Sequence, residues 1–250
     1  MKALVIHRYG GPEVMVVEDR PEPELRPRDV LIEVRAASLN PVDFKMREGK
    51  TKLVLRVPFP IGMGCDVAGV VRSVGPEVTR FRAGDEVCAR LEKNRMGGLA
   101  ERVAADEAVV ARKPARASFA EAAALPLAGL TALQALRDTA HLAAGQKVLI
   151  HAGAGGVGSL AIQIAKILGL HVLTTCGARN VDFVRSLGAD EVIDYGKEDV
   201  AARARGVDAV FDTLGGASEL ASIGLVARGG VVVGVSGLPD LAFAREWLPA

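Results

Sequence analysis

Residues 147–170, KVLIHAGAGGVGSLAIQIAKILGL, set a short apolar run, three spaced glycines and an apolar helical run in direct succession. The run at 147–150 suits a strand buried on both faces. Beyond the glycines, Val157, Leu160, Ala161, Ile164, Ile167 and Leu168 fall on one helical stripe, and Gly169 stands where a C-cap is needed. Strand, glycine turn and helix in that order give Gly153-x-Gly155-x-x-Gly158 a physical meaning. Gly153 permits the tight turn, Gly155 lets a pyrophosphate approach the main chain, and Gly158 lets the helix pack closely on the strand. The N–H groups and positive end of the helix then hold the phosphates. Ala154, Gly156 and Val157 complete this predicted cofactor loop. The bland alternative is a tight turn with no ligand, and the flanking elements argue against it.

The rest of the chain bounds what such a loop can serve. Its 250 residues suffice for one large domain or two ordinary ones. Half the residues are apolar and 24% are charged, as in a soluble globular enzyme. A net charge of +1, without a basic run interleaved with aromatics, argues against nucleic acid and against an anionic membrane surface. No apolar run reaches membrane-spanning length. The opening MKALVIH is too short for a signal peptide and reads as a first strand. Cys65, Cys88 and Cys176 are odd in number and unclustered, which suits a reducing, cytoplasmic setting.

The chain changes character partway along. Up to about Pro114, short strands alternate with turns at Gly75-Pro76, Gly84-Asp85 and Gly97-Gly98. From Phe119 onward alanine and leucine dominate. Strands are expected near Val172, at 191–193, at 208–212 and at 231–233, with a helix over about 181–187. This alternation predicts a parallel doubly wound sheet with right-handed crossovers. The fold class is therefore α/β: a β-rich N-terminal domain over 1–120, then a Rossmann-type domain over 121–250.

A longer pattern spans the glycine loop: Gly145-Gln146-x-x-Leu149-x-x-x-Gly153-Ala154-Gly155-Gly156-x-Gly158-x-x-x-x-Gln163-x-x-Lys166. With ASLNPVDFKMREG (37–49), GCDVAGVV (64–71), GDEV (84–87), LPLAGLTALQAL (125–136), VFDTLGG (210–216) and GGVVVGVSG (229–237), the chain resembles the medium-chain dehydrogenase/reductase superfamily. Within it, the chain looks like the zinc-independent quinone oxidoreductase branch and is most similar to NADPH-dependent alkenal/2-oxoalkene reductases. The resemblance implies a GroES-like first domain and hydride transfer from a nicotinamide to a quinone or an α,β-unsaturated carbonyl compound. Family members continue past residue 237 with a helix, a final strand and a return segment, whereas this sequence stops at residue 250. A C-terminally shortened Rossmann domain with an unpaired sheet edge is expected, with a homodimer left open. The ending also keeps a second class of function in view, a non-enzymatic NADPH-binding protein.

Zinc-dependent members of the superfamily carry cysteine where this chain has Asn40 and a His-Glu pair where it has Cys65-Asp66. They also carry a four-cysteine lobe, whereas residues 88–101 here hold a single cysteine. Catalytic zinc takes three protein ligands, so no metal is expected. Conjugate reduction needs instead a group that orients the substrate and steadies an oxyanion. The resemblance makes Asn40 the first candidate for that donor. Asp43 is a catalytic candidate too, weighed against a plain helix-capping role. Where relatives have a tyrosine after the REG stretch, this chain has Gly49-Lys50-Thr51-Lys52, which leaves the proton donor, solvent included, undetermined. His151 and His171 read as structural, and Phe44 and Phe59 as apolar pocket lining.

Further cofactor contacts follow from the resemblance. Thr131 matches a residue near the nicotinamide, and Tyr195 one whose ring lies against the adenosine phosphate. Leu214-Gly215 and Val235-Ser236-Gly237 end later strands at the ligand-binding edge of the sheet. NAD-specific sites place an acid about 20 residues beyond the glycine loop, and here Thr175 and Cys176 occupy that region. Arg179 adds a guanidinium suited to a 2′-phosphate. The cofactor expected is NADPH.

Overall fold

A computed structural model describes residues 1–52 and 58–237. The chain forms two compact units, Met1–Leu127 and Ala128–Ala250. The first is built from β1 (Lys2–Ile6), β2 (Met15–Asp19), β3 (Asp29–Ser38), α1 (Pro41–Arg47), β4 (Ile61–Gly62), β5 (Asp66–Val74), β6 (Glu86–Arg90), β7 (Arg102–Asp106), β8 (Val110–Arg112) and α2 (Phe119–Ala124). Five of these strands make an antiparallel sheet in the order β7-β3-β5-β6-β8, and a smaller sheet runs β2-β1-β4. Val30, Ile32, Val67, Val71, Phe81 and Val87 fill its core. The β-rich N-terminal region read from the sequence is present.

Local chemistry places α1. Asn40 is its N-cap, Pro41 opens it with a preset φ, and the Asp43 carboxylate accepts the Asn40 backbone N–H at 2.7 Å. The helix is then held down by Met46, which packs against Ile6, Val14, Ile61 and Met63. Capping and burial together fix Asn40 and Asp43 at the first turn.

After α3 (Pro126–Leu133) the chain alternates: β9 (Lys147–Ile150), α4 (Gly156–Ile167), β10 (His171–Cys176), α5 (Val181–Ser186), β11 (Glu191–Asp194), α6 (Val200–Arg203), β12 (Val207–Asp212), α7 (Ala217–Ile223) and β13 (Val226–Gly234). All five strands run parallel in the order β11-β10-β9-β12-β13, the doubly wound sheet that the alternation predicts. In β9, Val148 and Ile150 enter one core with Ala161, Ile162 and Ala165 of α4. Leu149 enters the other with Leu173, Ile193 and Val210. Residues 238–250, where the expected C-terminal shortening falls, lie outside the described residues.

One reading of the α4 region needs correction. Of the apolar stripe above, Ala161 is fully buried and Val157, Ile164 and Leu168 pack against the core, whereas Ile167 is 84% exposed; Gly158, Ile162 and Ala165 complete the buried face. Small residues win the inner face because they let the helix backbone approach the sheet, which a stripe chosen by hydrophobicity overlooks. Gly153 lies in the turn as expected, which the Gly155 N–H closes on the Ala152 carbonyl at 2.9 Å, while the left-handed conformation falls on Ala152 (φ 51°). A side chain at Gly153 would run into the Thr174 hydroxyl, and one at Gly158 into the Ala152 carbonyl. Both glycines therefore serve close packing. The C-terminus ends as expected: Gly169 takes φ 75°, and the N–H groups of Gly169 and Leu170 donate to the carbonyls of Lys166 and Ala165.

A Cβ at Gly156 meets nothing within 4 Å. Gly156→Ala should accordingly be neutral or slightly stabilising, whereas Gly158→Ala should cost about 1–3 kcal/mol through overpacking. Urea unfolding of the two variants checks this, and equal stability would show that the loop does not constrain the helix.

Candidate functional site

The carboxyl ends of the parallel strands gather most of the predicted cofactor residues. Gly155 is the N-cap of α4, with no side-chain cap and no acid in the first turn of the helix. The N–H groups of that first turn have no intrahelical acceptor. Open space surrounds Gly156, and a Cβ at Gly155 would meet only the Ala152 carbonyl, at 3.2 Å. The loop thus presents an open, donor-rich helix end where an anionic group fits.

His151 and Thr175 brace this loop from beneath. Ser222 Oγ donates to the Ser218 carbonyl, so it must accept from His151 Nε2–H at 3.2 Å. His151 Nδ1 is then bare and accepts the Thr175 hydroxyl at 3.1 Å, while the same oxygen accepts the Ala152 N–H at 3.1 Å. Only neutral, Nε2-protonated histidine satisfies every bond. Burial lowers its pKa in the same direction, against the opposing charge of Asp212. The Thr175 hydroxyl, expected to face a 2′-phosphate, is instead committed to the inside of the loop. Cys176 is also buried. Arg179 is exposed, in a short turn beyond β10, and no carboxylate pairs with it among the described residues.

Neighbouring strand ends complete this edge. Tyr195 lies one residue past β11, 64% exposed, with its hydroxyl beside Gly177. Asp212, fully buried, accepts the N–H groups of Leu214 (2.7 Å) and Gly215 (2.6 Å) and the Ser218 hydroxyl (2.6 Å). It shapes the turn that carries two predicted cofactor residues, and sequence reading missed it. A strand-ending Asp before Thr-Leu-Gly-Gly was the available signal. Val235, Ser236 and Gly237 follow β13; Val235 N–H donates to the Asp212 carbonyl at 3.1 Å, and the Ser236 hydroxyl bonds the Thr213 carbonyl. Thr131 lies half-buried on α3.

The N-terminal unit holds the other predicted centre. Asn40 Nδ2 donates to Ser38 Oγ at 3.0 Å and to Asp66 Oδ2 at 3.1 Å, with Cys65 Sγ at 3.6 Å. Both amide hydrogens are engaged, so a substrate oxygen must displace one of these acceptors to be served by Asn40. Asp43 and Asp66 are buried, each with one carboxylate oxygen lacking a partner. Leaving such an acceptor unsatisfied costs about 1–3 kcal/mol. Burial raises the pKa of both acids, and burial together with these two carboxylates pushes the Cys65 thiol up. The thiol is thus inert at neutral pH. Among the described residues, no three His, Cys, Asp or Glu side chains converge to hold a metal ion.

Beside Asn40 and Asp43 lies a cavity of about 380 Å³, walled mainly by Met15, Leu39, Phe44 and Met63. Phe44 lines it as expected. Phe59 instead packs edge-on against Tyr9, ring centroids 4.9 Å apart. Apolar walls with a few polar groups at one side suit the body of a small, largely apolar ligand.

An antiparallel β-rich unit followed by a parallel dinucleotide-type sheet defines a two-part oxidoreductase architecture. The alcohol dehydrogenase GroES-like domain matches residues 26–135 and the domain described as zinc-binding dehydrogenase matches 156–244. The quinone oxidoreductase of Coxiella burnetii superposes with a TM-score of 0.85 at 40% identity, covering 99% of this chain and 80% of that one. A chloroplast envelope quinone oxidoreductase homolog of Arabidopsis thaliana is 46% identical over 208 residues, covering 81% of this chain and 63% of that protein. An NADPH-dependent alkenal/one oxidoreductase of the same plant is 43% identical over 246 residues, 95% of this chain and 63% of that protein. The chain belongs to the medium-chain dehydrogenase/reductase superfamily, in its quinone oxidoreductase branch, and spans 63% of the length of these two curated relatives.

Protonation of His151 sets a pH dependence on the C-terminal unit. The unfolded chain takes up this proton below about pH 6.5 while the folded one resists it, so stability falls as pH drops below that value. His151→Gln should flatten the loss between pH 7 and 5 in denaturant titrations. An unchanged slope would remove His151 from the account.

Proposed function

We propose that this protein transfers hydride from NADPH to a quinone or an α,β-unsaturated carbonyl compound. The observation that carries the reading is the open glycine-loop helix end, on a sheet whose second strand ends without an acid and is followed by an exposed Arg179 that pairs with no carboxylate among the described residues. The diphosphate lies on the first-turn N–H groups of α4. Arg179 supplies the charge for a 2′-phosphate, since Thr175 is turned inward. Tyr195, Leu214 and Gly215, the 235–237 turn and Thr131 make up the remaining cofactor contacts. NADPH bound there supplies the hydride. The related alkenal/one oxidoreductase, named for NADPH and for this substrate class, supports the assignment, and the non-enzymatic alternative draws no comparable support.

The substrate's apolar body occupies the cavity at Phe44, with its carbonyl oxygen toward Asn40. As charge develops on that oxygen it becomes a stronger acceptor than the neutral Ser38 hydroxyl and takes over one amide hydrogen. Asp43 caps α1 and keeps Asn40 in place. Zinc has no part in the proposal, because Asn40, Cys65 and Asp66 do not make up a three-ligand set. Small charge and three buried thiols support a cytoplasmic setting without nucleic acid or membrane partners, and no described helix is long and apolar enough to cross a membrane. Strand β13 ends the described sheet, which supports self-association as a homodimer.

Two variants test the cofactor half. Gly155→Val should abolish NADPH binding while leaving the circular dichroism spectrum intact, because the side chain fills the phosphate's place; unchanged affinity would move the phosphate elsewhere. Arg179→Ala should raise the KM for NADPH about tenfold and leave that for NADH unchanged, as loss of a charge-assisted contact implies. Equal wild-type efficiency with both cofactors would refute the 2′-phosphate assignment.

A further inference from the structure

We propose that Asp66 is the positioning residue of the substrate site: its buried carboxylate decides which edge of the Asn40 amide is presented. The inference rests on the role given to Asn40 above. Asp66 is fully buried at the start of β5, and its Oδ2 accepts from Ser38 Oγ at 3.2 Å, Asn40 Nδ2 at 3.1 Å and Leu127 N at 3.0 Å. A carboxylate only accepts. The single Ser38 proton therefore goes to Asp66, and the Ser38 oxygen is left to accept from Asn40 at 3.0 Å. Both groups facing the Asn40 amide thus require a donor. Turned over, the amide would set its oxygen against a carboxylate and a lone pair. Leu127, in the first turn of α3, anchors Asp66 in turn.

Capping α3 does not explain this residue. A neutral Asn or Ser can accept one backbone N–H without burying a charge. The unpartnered Oδ1 of Asp66 marks a carboxylate kept at a cost. What the negative charge adds is directional demand: it holds one Asn40 hydrogen permanently, while the hydrogen on neutral Ser38 is the one released to a substrate oxyanion.

Steady-state kinetics on the full chain, with NADPH and an enone or 1,4-benzoquinone, test this in four variants. Asn40→Ala should lower kcat about 10²-fold, the size of one lost oxyanion donor. Asp66→Asn should lower kcat at least about tenfold through misaimed geometry, with the KM for NADPH unchanged. In the Asn40→Ala background, Asp66→Asn should add less than about a further twofold, because it acts only through Asn40. Asp66→Glu, which keeps the carboxylate, should recover part of the loss. Should Asp66→Asn not fold, Asp66→Ser takes its place, and failure of both to fold would overturn the proposal by making Asp66 structural. Additive losses, or full activity of Asp66→Asn beside an impaired Asn40→Ala, would overturn this inference alone. Full activity of Asn40→Ala would overturn the role of Asn40 and this inference together.

Discussion

The C-terminal unit is organised around a place where no side chain fits. Helix α4 passes so close to the loop leaving β9 that Gly158 abuts the Ala152 carbonyl, and the loop lies so close to β10 that Gly153 abuts Thr174. This closeness brings the helix N-terminus to the end of the strand with its donors exposed. It also forces Ala152 into a left-handed conformation, held by its N–H on Thr175 and by the His151 bonds behind it. The His151 network and the face of α4 both meet at that close contact.

The centre around Asn40 rests on a different principle. Asn40, Asp43, Cys65 and Asp66 sit in a polar cluster in which one oxygen of each carboxylate, Asp43 Oδ1 and Asp66 Oδ1, is buried without a hydrogen-bond partner. Buried networks of this kind rigidify what they hold, and an incomplete one is costly unless the missing partner has a purpose. Here the rigid element is an amide at the wall of an apolar cavity. The conjugate reduction proposed for it would ask for little else from the protein: the substrate's own carbonyl activates the carbon, and the site must orient it and accept developing charge.

Much of this was legible in the sequence, and the misses share a cause. Strand β9 shows in three apolar residues, Val148, Leu149 and Ile150, and the Schellman end of α4 shows in Gly169. Asn40 shows through the family resemblance, and Asp43 shows as a possible helix cap. What stayed hidden depends on which neighbour a group meets. The face of α4 turns on backbone approach, so Gly158 and Ala165 are buried beside the expected Ala161 while Ile167 is exposed. Thr175 carries the right hydroxyl, but His151, 24 residues earlier, draws it inward. Asp66 was visible only as a residue unfit for zinc. Its partners Ser38, Asn40 and Leu127 come from three separate elements, a convergence that no local pattern encodes.

The central claim is that this chain moves hydride from NADPH to carbon or to a quinone. Incubating it with NADPH carrying deuterium at C4 of the nicotinamide, then analysing the reduced enone by mass spectrometry, tests that most directly. The account predicts one deuterium in the product, located at the carbon β to the carbonyl, when the label occupies the transferred face. NADPH that binds but is not consumed, or a product without deuterium from either face of the nicotinamide, would contradict it.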